Sequence, residues 1–111
     1  MLDENDFRRH ADRALEALKN SLIDAEEDGG FYAEEQNGVL NIVFDDGGAK
    51  FVITPNTPVQ QIWISALSTS FKLDWDYVVR DFVLPKTGEA MVLLVERLLR
   101  EHTGNVAITL G

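Results

Sequence analysis

Carboxylates are the side chains of this sequence best equipped for chemistry, and they crowd particular stretches of it. Asp3, Glu4 and Asp6 stand together near the start, Asp24, Glu26, Glu27 and Asp28 follow, and Glu34 and Glu35 come a few residues later. Cysteine is absent, which removes disulfides, thiolate metal sites and a cysteine nucleophile together. Clustered carboxylates without thiols are ligands for hard cations such as ferrous or ferric iron, manganese, calcium and magnesium, all of which prefer oxygen. Their spacing defines no fixed cage, so weak affinity and poor selectivity are expected. Catalytic constellations are scarce: His10 and His102 lie far apart, with no serine or aspartate arrangement readable from the spacing, and are expected on the surface. There is no Gly-x-Gly-x-x-Gly, phosphate-binding loop or His-Glu-x-x-His motif.

A tryptophan supplies the second candidate. In Gln60-Gln61-Ile62-Trp63-Ile64-Ser65 the isoleucines claim the core face of a strand, which turns Trp63 outward with Gln61 and Ser65. An outward indole carries burial energy and an N–H donor, as interface anchors do. On the following strand Phe71, Leu73 and Trp75 alternate with Lys72 and Asp74. Lys72 and Asp74 are therefore expected to flank Trp63, and Trp75 to be core.

These side chains must be positioned by helices and strands whose periods differ. Phe7, Ala11, Ala14, Leu15, Leu18 and Leu22 recur as one buried helix face. Asp3 is the candidate N-cap and Gly29-Gly30 the stop, placing a first helix at about residues 3 to 27. Asp6, His10, Arg13, Ala17, Asn20, Asp24 and Glu27 then share one exposed flank. Acids in the first turn of that helix are explained by its dipole, worth about 0.3–1 kcal/mol each. Those at its far end are not, because the dipole is negative there and each close carboxylate pair adds roughly 0.5–1 kcal/mol of repulsion.

From Phe31 to Leu84 the period is two. Asn37-Gly38, Asp45-Asp46-Gly47-Gly48 and Thr54-Pro55-Asn56-Thr57-Pro58 read as turns between antiparallel strands. Leu40, Ile42, Phe44, Phe51, Ile53, Ile62 and Ile64 point one way and Asn41, Lys50, Thr54, Gln61 and Ser65 the other, so one sheet face is buried and the other wet. A second helix follows Pro85-Lys86-Thr87-Gly88, with Thr87 as candidate N-cap and Ala90, Met91, Leu94, Val95, Leu98 and Leu99 facing the core. The tail, residues 105–110, forms a last strand or packs along that helix. This order predicts an α+β fold: a two-layer α-β sandwich in which an antiparallel sheet of five to six strands carries both helices on one face.

The chain's 111 residues, 45% of them hydrophobic, suit one domain spanning 1–111. A formal charge of −9 opposes nonspecific contact with nucleic acid or anionic lipid, so the expected partners are cationic and the expected state is a monomer. Met1-Leu2-Asp3-Glu4 has neither a basic end nor an apolar stretch, and no run reaches the ~18 apolar residues of a membrane span, so a cytoplasmic address is expected.

The run Pro58-Val59-Gln60-Gln61-Ile62-Trp63-Ile64-Ser65, followed by Phe71-Lys72-Leu73-Asp74-Trp75, resembles the signature region of the frataxin family in its bacterial, CyaY-like branch. Other landmarks match in order: an acidic N-terminal helix with a Phe, Asn37-Gly38-Val39-Leu40 opening a strand, and Thr87-Gly88-Glu89 before the second helix. The resemblance implies two helices on one face of an antiparallel sheet. It also implies weak, surface-bound iron on an acidic ridge mapping to Asp3, Glu4, Asp6, Asp24, Glu26, Glu27, Asp28 and Glu34. It further implies a role in iron–sulfur cluster assembly, as regulator or iron donor, through docking on a cysteine desulfurase and an iron–sulfur scaffold protein. Trp63 and Gln61 map to that family's exposed sheet tryptophan and its neighbour. Arg8 stands where some bacterial members carry histidine, leaving His10 as the nearest imidazole, and Leu67-Ser68-Thr69-Ser70 replaces a Gly-rich stretch. The alternatives are ferroxidase-like iron oxidation and storage in metal-driven oligomers, and a metal-free adaptor whose acids only solubilise it.

Overall fold

The computed structural model describes residues 2–47 and 50–110, except for the side chain of Asp28. Along the chain run α1 (Glu4–Gly29), β1 (Phe31–Gln36), β2 (Val39–Phe44), β3 (Phe51–Asn56), a 3-10 turn (Thr57–Val59), β4 (Gln61–Ala66), β5 (Thr69–Asp76), β6 (Asp81–Val83) and α2 (Met91–Thr103). The apolar stripe of α1 is buried at Phe7, Ala11, Leu15, Leu18 and Leu22. Asp3 is its N-cap, Oδ1 accepting the Asp6 N–H at 2.9 Å, and Gly30 ends it in the left-handed conformation at φ 73°. Gly29, one residue earlier, is needed for a different reason. A Cβ there would land inside the ring of buried Phe31, so the helix meets β1 this closely only because the position carries no side chain.

The six strands pair strictly with their sequence neighbours, β1-β2-β3-β4-β5-β6, each pair antiparallel. Both helices pack on one face of this open sheet, and the seven apolar residues assigned to that face, Leu40 to Ile64, are all buried. The opposite face is less uniformly wet than the alternation implies. Asn41 is only 8% exposed and sits mid-sheet between its register neighbours Glu34 and Val52. Thr54-Pro55-Asn56 also departs from expectation: these residues form the end of β3 rather than a turn, paired with Trp63, Ile62 and Gln61. β2 accompanies β3 only as far as Ile53, so Pro55 lies where the strand has become an edge, which tolerates proline.

Asn37 (φ 54°) and Gly38 (φ 80°) make the two-residue turn their types favour. The β4–β5 turn has the same length with unsuited residues: Leu67 and Ser68 sit at φ 53° and 61°. The left-handed region costs an ordinary L-residue about 1–2 kcal/mol, and Leu67 is substantially exposed, so it recovers little by burial. Replacing Leu67-Ser68 by Asn-Gly is expected to stabilise the fold by about 1–2 kcal/mol. Urea unfolding checks this; an unchanged or lower midpoint would contradict it.

The second helix begins later than Thr87 predicts. Ala90 is the N-cap, without a side-chain bond, and is half-buried. Thr87 Oγ1 instead donates to Glu89 Oε1 at 2.9 Å and accepts the Glu89 N–H. Arg97 holds the same carboxylate in a fork, Nε to Oε2 at 2.8 Å and a terminal nitrogen to Oε1 at 2.9 Å. These hydrogen bonds, opposed by burial, keep the Glu89 carboxyl below the usual carboxylate range, and push the Arg97 guanidinium further up. A lowered folded-state pKa stabilises fully above the unfolded value, ~4.3, and is lost as pH falls through the folded one. Glu89→Gln should therefore lower the urea midpoint at pH 7 and flatten its decline between about pH 5 and 3. A variant declining as steeply as the parent would contradict this. Residues 105–110 form no strand: buried Ile108 and Leu110 pack on α2, where Arg100 Nε donates to the Ile108 carbonyl and Glu96 Oε1 accepts the Leu110 N–H, both at 2.8 Å.

Candidate functional site

The eight ridge carboxylates do not form one group. Glu4 pairs with Arg8 and Asp6 with Arg9, each at 2.8 Å, and Asp3 is occupied in capping. Such exposed pairs on one helix contribute only a few tenths of a kcal/mol, yet they offset two of the three negative charges at that end. Glu26 Oε2 accepts the Ala33 N–H at 3.1 Å. β1 is the outermost strand and the Ala33 N–H points off its open edge, so Glu26 caps a strand edge that would otherwise offer an unpaired donor. Asp24, Glu27 and Glu34 remain exposed with no ion pair among the described residues. The side chain of Asp28 lies outside the described residues, as does Gly48 of the expected Gly47-Gly48 hairpin turn.

Geometry then limits what these groups can share. Asp6 and Asp24 lie on one flank but about 27 Å apart along the helix at 1.5 Å per residue, so no ion bridges them. Asp24 and Glu27 are true neighbours, three positions apart, with Cβ atoms at about 5–6 Å. Glu34 lies on the edge strand but pairs in register with Asn41, which turns it to the outer sheet face, away from the helix layer. Glu35 faces α1 instead: with Asp12, Glu16 and Lys19 it lines a groove that the sequence reading missed. The signal was available, since Asp12 and Glu16 are one helical turn apart and Glu35 has the inward parity of Ala33. No three His, Asp or Glu side chains among the described residues converge to hold a metal ion. These residues offer a diffuse cation-attracting surface rather than a cage.

The tryptophan surface is organised differently. Trp63 is half-buried on the outer face, with Thr54 opposite it on β3 and Lys72 opposite it on β5. Its Nε1–H donates to Gln61 Oε1 at 2.9 Å, and Gln61 Nε2 donates to Asp74 Oδ1 at 2.8 Å. An indole can only donate and a carboxylate can only accept, so this relay fixes which way the amide points. Lys72 Nζ lies 4.9 Å from the centroid of the indole ring, within cation–π reach. Gln61, Lys72 and Asp74, the three residues expected beside Trp63, thus join it in one connected cluster, but the indole N–H is already satisfied by Gln61 and is not free for a partner. What the arrangement presents is a fixed aromatic plate flanked by one cation and one anion.

Both histidines depart from the expectation of plain surface residues. His10 is half-buried and stacked on Trp75, ring centroids 4.1 Å apart with planes 17° from parallel. His102 packs against Phe44 and Phe51 beside the core. Trp75 correspondingly is half-buried at the core margin, its edge against Phe82, rather than within the core. Period counting misses these pairings because they join α1 to β5 and α2 to β2 and β3.

Comparison with known proteins places this geometry. The iron-sulfur cluster assembly protein CyaY of Pseudomonas entomophila (strain L48) is 31% identical over 103 residues, 93% of this chain and 91% of the relative. Its counterpart in Pseudomonas fluorescens (strain Pf0-1) is 26% identical with the same coverage. Among solved structures, the frataxin from Psychromonas ingrahamii superposes with a TM-score of 0.80 over 94% of both chains at 12% identity, a likeness of fold. The sequence pattern of the frataxin-like domain matches residues 1–105, and the chain belongs to the frataxin-like family.

Proposed function

We propose that this chain serves iron–sulfur cluster assembly as a binding module rather than a catalyst. In this reading it docks on a cysteine desulfurase and its scaffold through the outer sheet face around Trp63, and draws iron weakly to Asp24, Glu27 and the neighbouring carboxylates. Family membership and the names carried by the Pseudomonas relatives support the pathway. The observation that carries the docking role is the indole itself: a large apolar ring kept on the uncovered sheet face and immobilised by Gln61, Asp74 and Lys72. Preorganised aromatic anchors bind with little ordering cost. Unpaired acids on a chain of net charge −9 steer it toward a basic partner, an attraction that salt screens. Oxidative turnover of iron needs carboxylates and histidines converging inward, so binding is the reading the geometry favours over a ferroxidase.

The test is cluster formation on the scaffold from ferrous iron and cysteine, followed with purified desulfurase in the presence and absence of this chain. An equimolar addition should change the initial rate, and the change should fade as ionic strength rises. An unaltered rate at low salt and saturating chain would contradict the proposal.

A further inference from the structure

The structure points to a second site, unrelated to the carboxylates and to Trp63, and we infer that it binds a small oxyanion. Between α1 and the β5–β6 connection lies an open groove of about 250 Å³, walled by His10, Arg13, Ala14 and Ala17 of α1 and by Trp75 and Arg80. Three observations assign it.

The first is charge. In a chain with nineteen acidic and ten basic residues, most arginines have a carboxylate to pair with: Arg8, Arg9, Arg97 and Arg100 each make an ion pair. Arg13 and Arg80, which line this one groove, make none among the described residues. Asp81 also lines the groove, but its Oδ1 accepts the Phe82 N–H at 2.8 Å and it pairs with neither arginine. Two guanidinium groups left open on one groove match an oxyanion with at least two charged oxygens.

The second is strain. Arg80 is held at φ 58°, a conformation suited to glycine or asparagine. The turn enforces it: Asp76 Oδ1 accepts the Val78 and Val79 N–H groups, and the Asp76 carbonyl accepts the Arg80 N–H at 2.8 Å. This position thus carries backbone strain and, unlike the strained Leu67-Ser68 turn, places at the groove a cationic side chain without an ion pair among the described residues.

The third is shape. Ala14 and Ala17 leave the helix wall low where longer side chains would fill the groove. The stacked His10 and Trp75 form a fixed wall, already mutually covered, so the groove offers its guanidinium groups and not a free ring. This favours a compact anion over an aromatic ligand.

The two tryptophans make the test internal. Inorganic phosphate and malonate are titrated separately into 15N-labelled protein at constant ionic strength, with chloride as control. The Trp75 indole N–H signal should move and saturate at about millimolar anion, as expected for a few exposed charge-assisted contacts, while that of Trp63 stays still. Response to phosphate alone assigns a phosphate-bearing ligand; response to malonate alone assigns a polycarboxylate. Arg13→Gln/Arg80→Gln should weaken binding at least tenfold. Arg80→Gly should weaken binding and raise Tm together, which a purely structural arginine would not do. A shift that grows linearly, is matched by chloride or survives in the double variant would overturn the inference, as would an Arg80→Gly protein of lower Tm with unchanged anion affinity.

Discussion

Replacing Trp63 by alanine is expected to weaken binding to the desulfurase–scaffold complex about 30-fold or more, the effect of losing an interface anchor worth about 2 kcal/mol. The fold should survive, because the indole is half-buried on the outer sheet face and the core beneath it is built from Ile62, Ile64 and Leu73. A stability loss of about 1–2 kcal/mol is expected from the missing half-burial and the lost contact with Lys72. Trp63→Phe sharpens the reading. It keeps an aromatic plate but removes the N–H that orients Gln61, so it should fall between the parent and the alanine variant. Biolayer interferometry with circular dichroism as the folding control measures both. A folded Trp63→Ala protein that binds as tightly as the parent would leave the indole without a docking role.

Neutralising Asp24, Glu27 and Glu34 together, as Asn, Gln and Gln, should lower affinity for ferrous iron about tenfold while raising stability by about 0.5–1 kcal/mol. The two changes have one cause. The last turn of α1 contains no basic residue, so Glu27 faces the negative end of the helix dipole and repels Asp24 one turn back. The same unpaired charge that weakens the helix attracts a cation. Glu4→Gln/Asp6→Asn is the control, compared per carboxylate removed. Those carboxylates already sit against Arg8 and Arg9, so their loss should change iron affinity less than about threefold. Equal losses per carboxylate removed would mean that only net charge matters, not its placement.

Much of this was legible in the sequence because the determinants are local or strictly periodic. The α1 stripe, the Asp3 cap, the Gly30 stop and the alternation through β2, β3 and β4 follow from spacing alone, and the alternation also set Lys72 and Asp74 beside Trp63. Distance-dependent facts were not legible. Whether a carboxylate is free depends on what reaches it: Arg8 and Arg9 neutralise the start of the ridge by helical neighbourhood, but Glu26 is taken up by Ala33, a partner across the α1–β1 junction. Glu34 and Glu35 are adjacent in sequence and on opposite faces of the sheet. Thr87 precedes an apolar run, as a helix cap does, yet it bonds to Glu89, which Arg97 holds, and the helix starts at Met91. Proline in Thr54-Pro55-Asn56 reads as a turn until the early end of β2 shows that part of β3 to be an edge.

The outer sheet face around Trp63 is the surface on which the functional account turns, and mapping it in the complex tests it most directly. With 15N-labelled chain and unlabelled desulfurase and scaffold at low salt, the Trp63 indole signal and the amides of Gln61, Lys72 and Asp74 should broaden first and most, with those of the buried α2 face unaffected. Broadening confined to other surfaces, with the Trp63 signal unchanged at saturation, would contradict the account.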